Sequence, residues 1–249
     1  MSAPDAEVVR ARAYLSRVAE PPAAALAAYV DRLGPVEAAE RIRRGAVPDV
    51  VRSATGARRT VDRVDADLEA AAAVGARLLV PEDADWPRWA FAAYPAAGTR
   101  ELGAPLALWV KGPLRLGEVA ERAVAIVGAR AATGYGVHIA SDRAGGLAAA
   151  GATVVSGAAF GIDAAAHRGS LASEGPTLAV LACGIDRAYP AAHTELLDRV
   201  AATGLVVSEY PPGAVPARHR FLVRNRLIAG IGAGTVVVEA GLRSGAQRT

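Results

Sequence analysis

The chain has 249 residues, 52% of them apolar, and 28 Lys plus Arg against 25 Asp plus Glu leave a formal charge of +3. This suits a globular chain of one or two domains. The longest apolar runs, such as residues 177–183 and 235–238, are strand-sized, and Asp5, Glu7 and Arg10 stand where a signal peptide would be apolar, so neither a membrane span nor secretion is expected. Cys183 is the single cysteine, which excludes an internal disulfide and makes the cytoplasm the expected compartment.

From the N-terminus, residues 8–18, 22–33 and 37–44 read as short helices broken by Glu20-Pro21-Pro22 and Gly34-Pro35. They define a small all-helical domain over residues 1–58. Apolar residues at Val61, Val64, Leu68 and Ala72 predict a longer helix over 61–74, with Gly75 at its C-terminal cap. Strands over 77–80 and 106–110 belong to a joining region that holds Trp86, Trp89 and Trp109, for which packing is the expected role.

Beyond Ala123 the pattern changes to β-rich runs alternating with helices. Strands are expected over 123–127, 153–156, 177–181, 205–208 and 235–239, with helices over 136–149, 162–173, 191–202 and 221–231. The alternation predicts an α/β domain over 59–249, a Rossmann-like, doubly wound and mostly parallel sheet. Right-handed crossovers gather its strand-to-helix loops along one edge, where such folds bind ligands.

The loop after the first of these strands runs Gly128-Ala129-Arg130-Ala131-Ala132-Thr133-Gly134-Tyr135-Gly136. Its glycines let backbone approach a ligand at a helix N-terminus, and Gly136 near a helix start costs about 1 kcal/mol relative to alanine, which favours a close approach over a plain turn. The spacing is not G-x-G-x-x-G. The second strand ends in Ser156-Gly157 rather than an acid for ribose hydroxyls, so no dinucleotide cofactor is expected.

The second loop, Ser156-Gly157-Ala158-Ala159-Phe160-Gly161-Ile162-Asp163, repeats the pairing of glycines with a hydroxyl. Asp163 reads as a helix N-cap. Asp163, His167 and Ser156 do not make a catalytic triad, because the serine is not on a G-x-S-x-G elbow. His138, His193 and His219 lack metal-ligand spacing with one another or with Cys183, so no metal is expected either.

The sharpest signal is Arg218-His219-Arg220-Phe221-Leu222-Val223-Arg224-Asn225-Arg226, with four arginines around a helix start and no acid among them. Cations in a first turn oppose the helix dipole by about 0.3–1 kcal/mol each, so the cluster implies a compensating anion. Lys111 is the only lysine. A GC-rich coding bias explains such arginine preference by itself, and only placement argues for nucleic acid. Arg130, Arg187, Arg243 and Arg248 fall in other loops of the same edge, which suits a row of phosphates better than one small molecule. Tyr135, Phe160, Tyr189, Tyr210 and Phe221 lie there too, each either a core residue or a platform for an unpaired base.

In order and spacing, Gly128-Ala129-Arg130, Tyr135-Gly136, the loop from Ser156 to Asp163, Cys183-Gly184-Ile185-Asp186, Tyr189-Pro190, Ser208-Glu209, Phe221, Arg224-Asn225-Arg226 and Ser244-Gly245 resemble the signature of the DNA-processing protein A (DprA/Smf) family. The N-terminal helices resemble that family's sterile-alpha-motif-like domain. The resemblance implies a non-enzymatic module that binds and protects single-stranded DNA and helps load the RecA recombinase in transformation or recombination. It implies phosphate contact by Arg130, a pocket lined by Ser156, Gly157, Arg224, Asn225 and Arg226, and a rim at Ser244 and Gly245. Thr133, Tyr135, Gly136, Phe160, Gly161 and Arg220 join this candidate set from their places on the edge.

Leu222 stands where many members carry proline. The family continues beyond the position of Thr249 through another strand and helix, and the resemblance places much of its homodimer and RecA contacts in that part, so the sheet is expected to be truncated. A fainter resemblance, of Gly232-Ala233-Gly234-Thr235 and Glu239, is to lysine-decarboxylase-like phosphoribohydrolases that cleave nucleoside monophosphates. There the glutamate follows the Gly-Thr pair closely, whereas here three valines intervene. The DNA reading requires Arg130 and Arg224 to face one trough.

Overall fold

The computed structural model describes residues 4–92, 94, 103–241, 245 and 249. The N-terminal helices are α1 (Ala6–Val18), α2 (Ala24–Leu33), α3 (Pro35–Arg44) and α4 (Asp49–Thr55). Asp5 caps α1 by accepting from the amide of Glu7, and α3 opens on Pro35, whose missing N–H costs nothing in a first turn. The four-residue-repeat signal is too short in α4 to reveal it in the sequence. Helix α5 (Val64–Ala73) begins later than the apolar pattern predicts, because the Asp62 carboxylate accepts from the amide of Val64 and turns the chain there. Gly75 follows it at φ +73°, the left-handed closure expected at that position.

Then come β1 (Ala76–Leu79), α6 (Arg88–Ala92), β2 (Leu108–Lys111) and α7 (Leu116–Ala120), followed by β3 (Ala123–Val127), α8 (Gly134–Ala149), β4 (Thr153–Ser156), α9 (Ile162–Ala172) and β5 (Thr177–Leu181). A 3-10 turn (Ala191–His193), α10 (Thr194–Thr203), β6 (Leu205–Ser208), α11 (Arg218–Ile231) and β7 (Gly234–Val237) are the remaining elements among the described residues. The sheet order is β1-β2-β6-β5-β4-β3-β7, with β6 to β7 parallel and β1 and β2 added antiparallel at one side. The joining region therefore extends the sheet, and Trp109 is wholly buried in β2.

Strand side chains alternate between two faces. Ile126, Val154, Ala179, Leu181 and Val206 pack toward α8, α9, α10 and the N-terminal helices. Val127, Val155, Leu178, Val180 and Val207 pack on the opposite face with Leu227, Ile228 and Ile231 of α11. Tyr14, Leu15, Val30 and Ile42 of the N-terminal helices share one apolar cluster with Trp109, Leu181 and Val206 of the sheet, so these helices are packed onto it rather than strung from it. Every residue of β4, β5 and β6 is buried, as expected of parallel strands covered on both sides. The order of strand addition reverses at β3, with β4, β5 and β6 laid down on one side of it and β7 parallel on the other, which puts the topological switch point where the first and last loops meet.

Candidate nucleic-acid interface

A trough of about 880 Å³ opens along the C-terminal edge of the parallel strands. The segments that follow all five parallel strands reach it, through Arg130 after β3, Ala159 after β4, Tyr189 after β5, Arg218 and Phe221 after β6, and Gly241 after β7. Arg130 and Arg224 both line it, the condition the sequence reading set. Helix α11 starts at Arg218, three residues before its expected start, which puts Arg218, His219 and Arg220 in the first turn.

Down one wall runs a row of three side chains. The exposed Arg130 guanidinium stands 5.0 Å from the Phe221 ring centre, and Phe221 lies 5.4 Å from the Tyr189 ring at 47°. Tyr189 is 44% exposed, so its ring remains open to a planar ligand. Arg218 is exposed beside them.

The glycine loops are built differently from the expectation of ligand contact. The Glu239 carboxylate accepts from the Thr133 amide at 3.0 Å and from the Thr133 hydroxyl at 3.0 Å, while the Glu239 carbonyl accepts from the Ala129 amide at 2.6 Å. Thr133 in turn caps α8 by accepting from the amide of Gly136. A Cβ on Gly136 would lie 2.1 Å from the Glu239 carboxylate, so the close approach foreseen at Gly136 is to the protein's own acid and not to a ligand. Gly161, at φ +76°, likewise faces protein: its Cβ would lie 2.2 Å from the Ala129 carbonyl oxygen. The two loops interlock, and the helix N-terminus of α8 already holds an anion.

The second loop is organised from within. Ser156 is fully buried and donates to the Ile126 carbonyl at 2.6 Å, so it ties β4 to β3 instead of facing the trough. Asp163 is not the N-cap of α9, which is Gly161. Its carboxylate reaches back to accept from the amides of Gly157 (3.2 Å) and Ala159 (3.4 Å). Burial pushes the Asp163 carboxyl up and nearby Arg224 opposes that shift. His167 bonds Thr177. Phe160 is 49% exposed with its ring edge-on to His193 at 4.7 Å, and Tyr135 is 76% exposed, but neither is among the trough-lining residues, nor are Thr133, Gly136, Ser156, Gly157 or Gly161.

The arginine cluster divides by partner. Arg224 is buried and its guanidinium donates to the carbonyls of Gly157 (2.7 Å) and Val180, so it forms the floor of the trough and holds the second loop to β5. Arg226 turns away from the trough into a buried pair with Glu209 at 2.6 Å. Arg220 bonds Glu20 of the N-terminal helical segment at 2.6 Å. Asn225 lines the trough and donates to the Gly245 carbonyl at 3.1 Å, with Gly128 and Gly245 also on its lining. Ser244, Arg243 and Arg248 lie outside the described residues. The compensating anions that the sequence demanded are therefore Glu20 and Glu209, and among the described residues the exposed cations left on the trough are Arg130 and Arg218. Sequence reasoning named Tyr189 and Phe221 among five aromatics and in the family signature but left both out of the candidate binding set, and it treated Glu239 only as a misplaced acid. Its position two residues beyond a parallel strand adjoining β3 is what signals the contact.

Among the described residues no cluster of His, Cys, Asp or Glu is arranged to hold a metal, and no helix is long and apolar enough to cross a membrane. A family model for DNA recombination-mediator protein A matches residues 77–249. A DNA processing protein DprA of Mycobacterium tuberculosis is 58% identical over 243 residues, covering 96% of this chain and 62% of that protein. The Streptococcus pneumoniae DprA is 42% identical over 146 residues, 59% of this chain and 51% of its own length. The crystal structure of the S. pneumoniae protein superposes with a TM-score of 0.65 at 30% identity over 90% of this chain and 69% of that one. A solved structure of the Helicobacter pylori DNA processing protein A, reported for its single-stranded DNA binding mode, gives a TM-score of 0.53 at 31% identity over 58% of this chain and 65% of that one. The chain thus spans about three fifths of the length of the M. tuberculosis relative. With that family model matched over more than half its length, the chain belongs to the DNA recombination-mediator protein A family, the DprA/Smf proteins.

Proposed function

We propose that this chain binds single-stranded DNA along the trough and serves recombination by holding the strand for the RecA recombinase in the cytoplasm. The observation that carries the reading is the row Arg130, Phe221 and Tyr189 beside Arg218. Cations set next to open rings suit a polymer that offers a phosphate and an unpaired base at each step, and duplex DNA keeps its base faces stacked away. The H. pylori relative's single-stranded DNA binding mode supports the same assignment.

Arg130 and Arg218 contact phosphates in this reading. Phe221 and Tyr189 stack bases, while Arg224, Asn225 and Asp163 hold the loops that carry the wall. The reading is of binding rather than turnover. Ser156, Asp163, His167 and Glu239, the groups a hydrolytic mechanism would draw on, are each engaged with backbone or side chains of the fold. A fluorescence anisotropy titration of labelled oligo-dT against duplex of equal length tests it. Preference for the single strand, weakened by Arg130→Ala, is expected; equal affinity for both, or cleavage of a nucleoside monophosphate without oligonucleotide binding, overturns it.

A further inference from the structure

At the seam between the N-terminal helices and the first turn of α11 a carboxylate is ringed by cations. Glu20 accepts from Arg220 at 2.6 and 3.0 Å, from Arg58 at 3.1 Å, and pairs with His219 at 3.2 Å. Burial by itself would raise the Glu20 carboxyl, but the bonds from Arg220, Arg58 and His219 overcome it and hold the group below the ordinary carboxylate range. One fixed negative charge faces two arginines, so the cluster keeps an excess of positive charge. Arg220 also lies over the Tyr210 ring at 4.7 Å and donates to the Val215 carbonyl, which fixes its head in place whatever anion it meets.

The cluster borders a cavity of about 240 Å³ that Val215 and Arg220 line, while Pro216, Ala217 and Arg218 line the DNA trough. The two hollows are thus lined by neighbouring residues of one chain segment, the one that leads into α11.

We infer that Arg58, His219 and Arg220 form a further phosphate subsite, occupied in the free protein by the Glu20 carboxylate, which a strand longer than the trough must displace. Glu20 is then an internal competitor that makes the protein discriminate by strand length. This rests on the single-stranded DNA reading and deepens it. A carboxylate and a phosphodiester oxygen pair present the same charge to the same guanidinium fork, so exchange needs no rearrangement of Arg220.

The test titrates the wild-type chain and Glu20→Gln with oligo-dT of about 4 and about 16 nucleotides, the span of strand lengths that such sites cover, across a salt series. Glutamine keeps the shape and the acceptor oxygen while removing the charge. Affinity for the longer strand is expected to rise roughly two- to fivefold, the size of one screened charge pair, and its log–log salt slope to steepen by about 0.7 per added phosphate contact. The short strand is expected to be unaffected. The variant Arg220→Gln, should Glu20→Gln fold poorly, is expected to lower affinity for the long strand alone. If the wild type binds oligo-dT but neither variant changes the long-strand affinity or slope, or both strands change alike, the subsite is refuted while the trough stands. If the wild type binds neither strand, both are refuted.

Discussion

The Glu239 carboxylate, just past the last strand, grips the amide and hydroxyl of Thr133, in the loop after β3. This contact closes the switch point of the sheet, where a Rossmann nucleotide site would receive phosphate, with an acid supplied by the chain. It also anchors the loop that carries Arg130. Charge-assisted bonds of this kind contribute about 1.5–3 kcal/mol each. Replacing Glu239 by alanine is expected to lower unfolding free energy by at least about 1.5 kcal/mol in urea titrations and to weaken oligo-dT binding. Wild-type stability in that variant would show the clamp to be incidental.

Arginines that look alike in sequence should separate by assay. Arg226 is buried against Glu209, and removal of one partner of a buried pair costs about 3–5 kcal/mol. Arg130 is exposed, and a substitution there should fall within about 0.5 kcal/mol of wild type. Arg226→Ala is therefore expected to fail in denaturant melts, and Arg130→Ala to fold normally and lose DNA affinity. The reverse pattern would contradict the division.

Stacking gives a third expectation. Phe221→Leu keeps an apolar side chain but removes the ring beside Arg130 and Tyr189. Losing a base–aromatic contact costs about 1–3 kcal/mol, so the oligo-dT dissociation constant should rise at least about fivefold in anisotropy titrations. An unchanged constant would remove Phe221 from the interface.

His167 provides a pH test of the fold. Thr177 gives its hydroxyl hydrogen to the Val154 carbonyl, so the Nδ1–H of His167 donates to the Thr177 oxygen and Nε2 is left buried, bare and neutral. Burial, reinforced by Arg224, pushes its pKa down to about 3. The folded pKa lies below that of the unfolded residue, so the stabilisation is present above the unfolded value, about 6.5, and is lost as pH falls toward about 3. Within that window unfolding takes up one proton at this site, which is about 1.4 kcal/mol per pH unit. His167→Asn, compared with wild type by urea unfolding at several pH values, is expected to remove that slope. Parallel pH profiles for the two proteins would contradict it.

The sheet was legible because β4, β5 and β6 are short, mostly apolar runs each preceded within two residues by a glycine, and because the helices between them are long enough to force parallel crossovers. The loops that meet at the ligand edge follow from that topology. What the residues could not reveal was partnership at a distance. Arg220 finds Glu20 across 200 positions and Thr133 finds Glu239 across 106, so neither anion is visible in the local charge pattern. Gly136 and Gly161 signalled close approach correctly, but sequence cannot distinguish a ligand from a neighbouring loop as the group approached. Ser156 shows the same ambiguity, since a hydroxyl at a strand end can face solvent or, as here, the next strand's carbonyl.

The salt dependence of oligo-dT binding by the wild type and Arg130→Ala probes the trough most directly. Each phosphate held on a single strand contributes about −0.7 to the slope of log K against log salt. The wild type should show a slope corresponding to at least two phosphates, and the variant a slope shallower by about 0.7. Identical slopes for the two proteins would mean that Arg130 touches no phosphate.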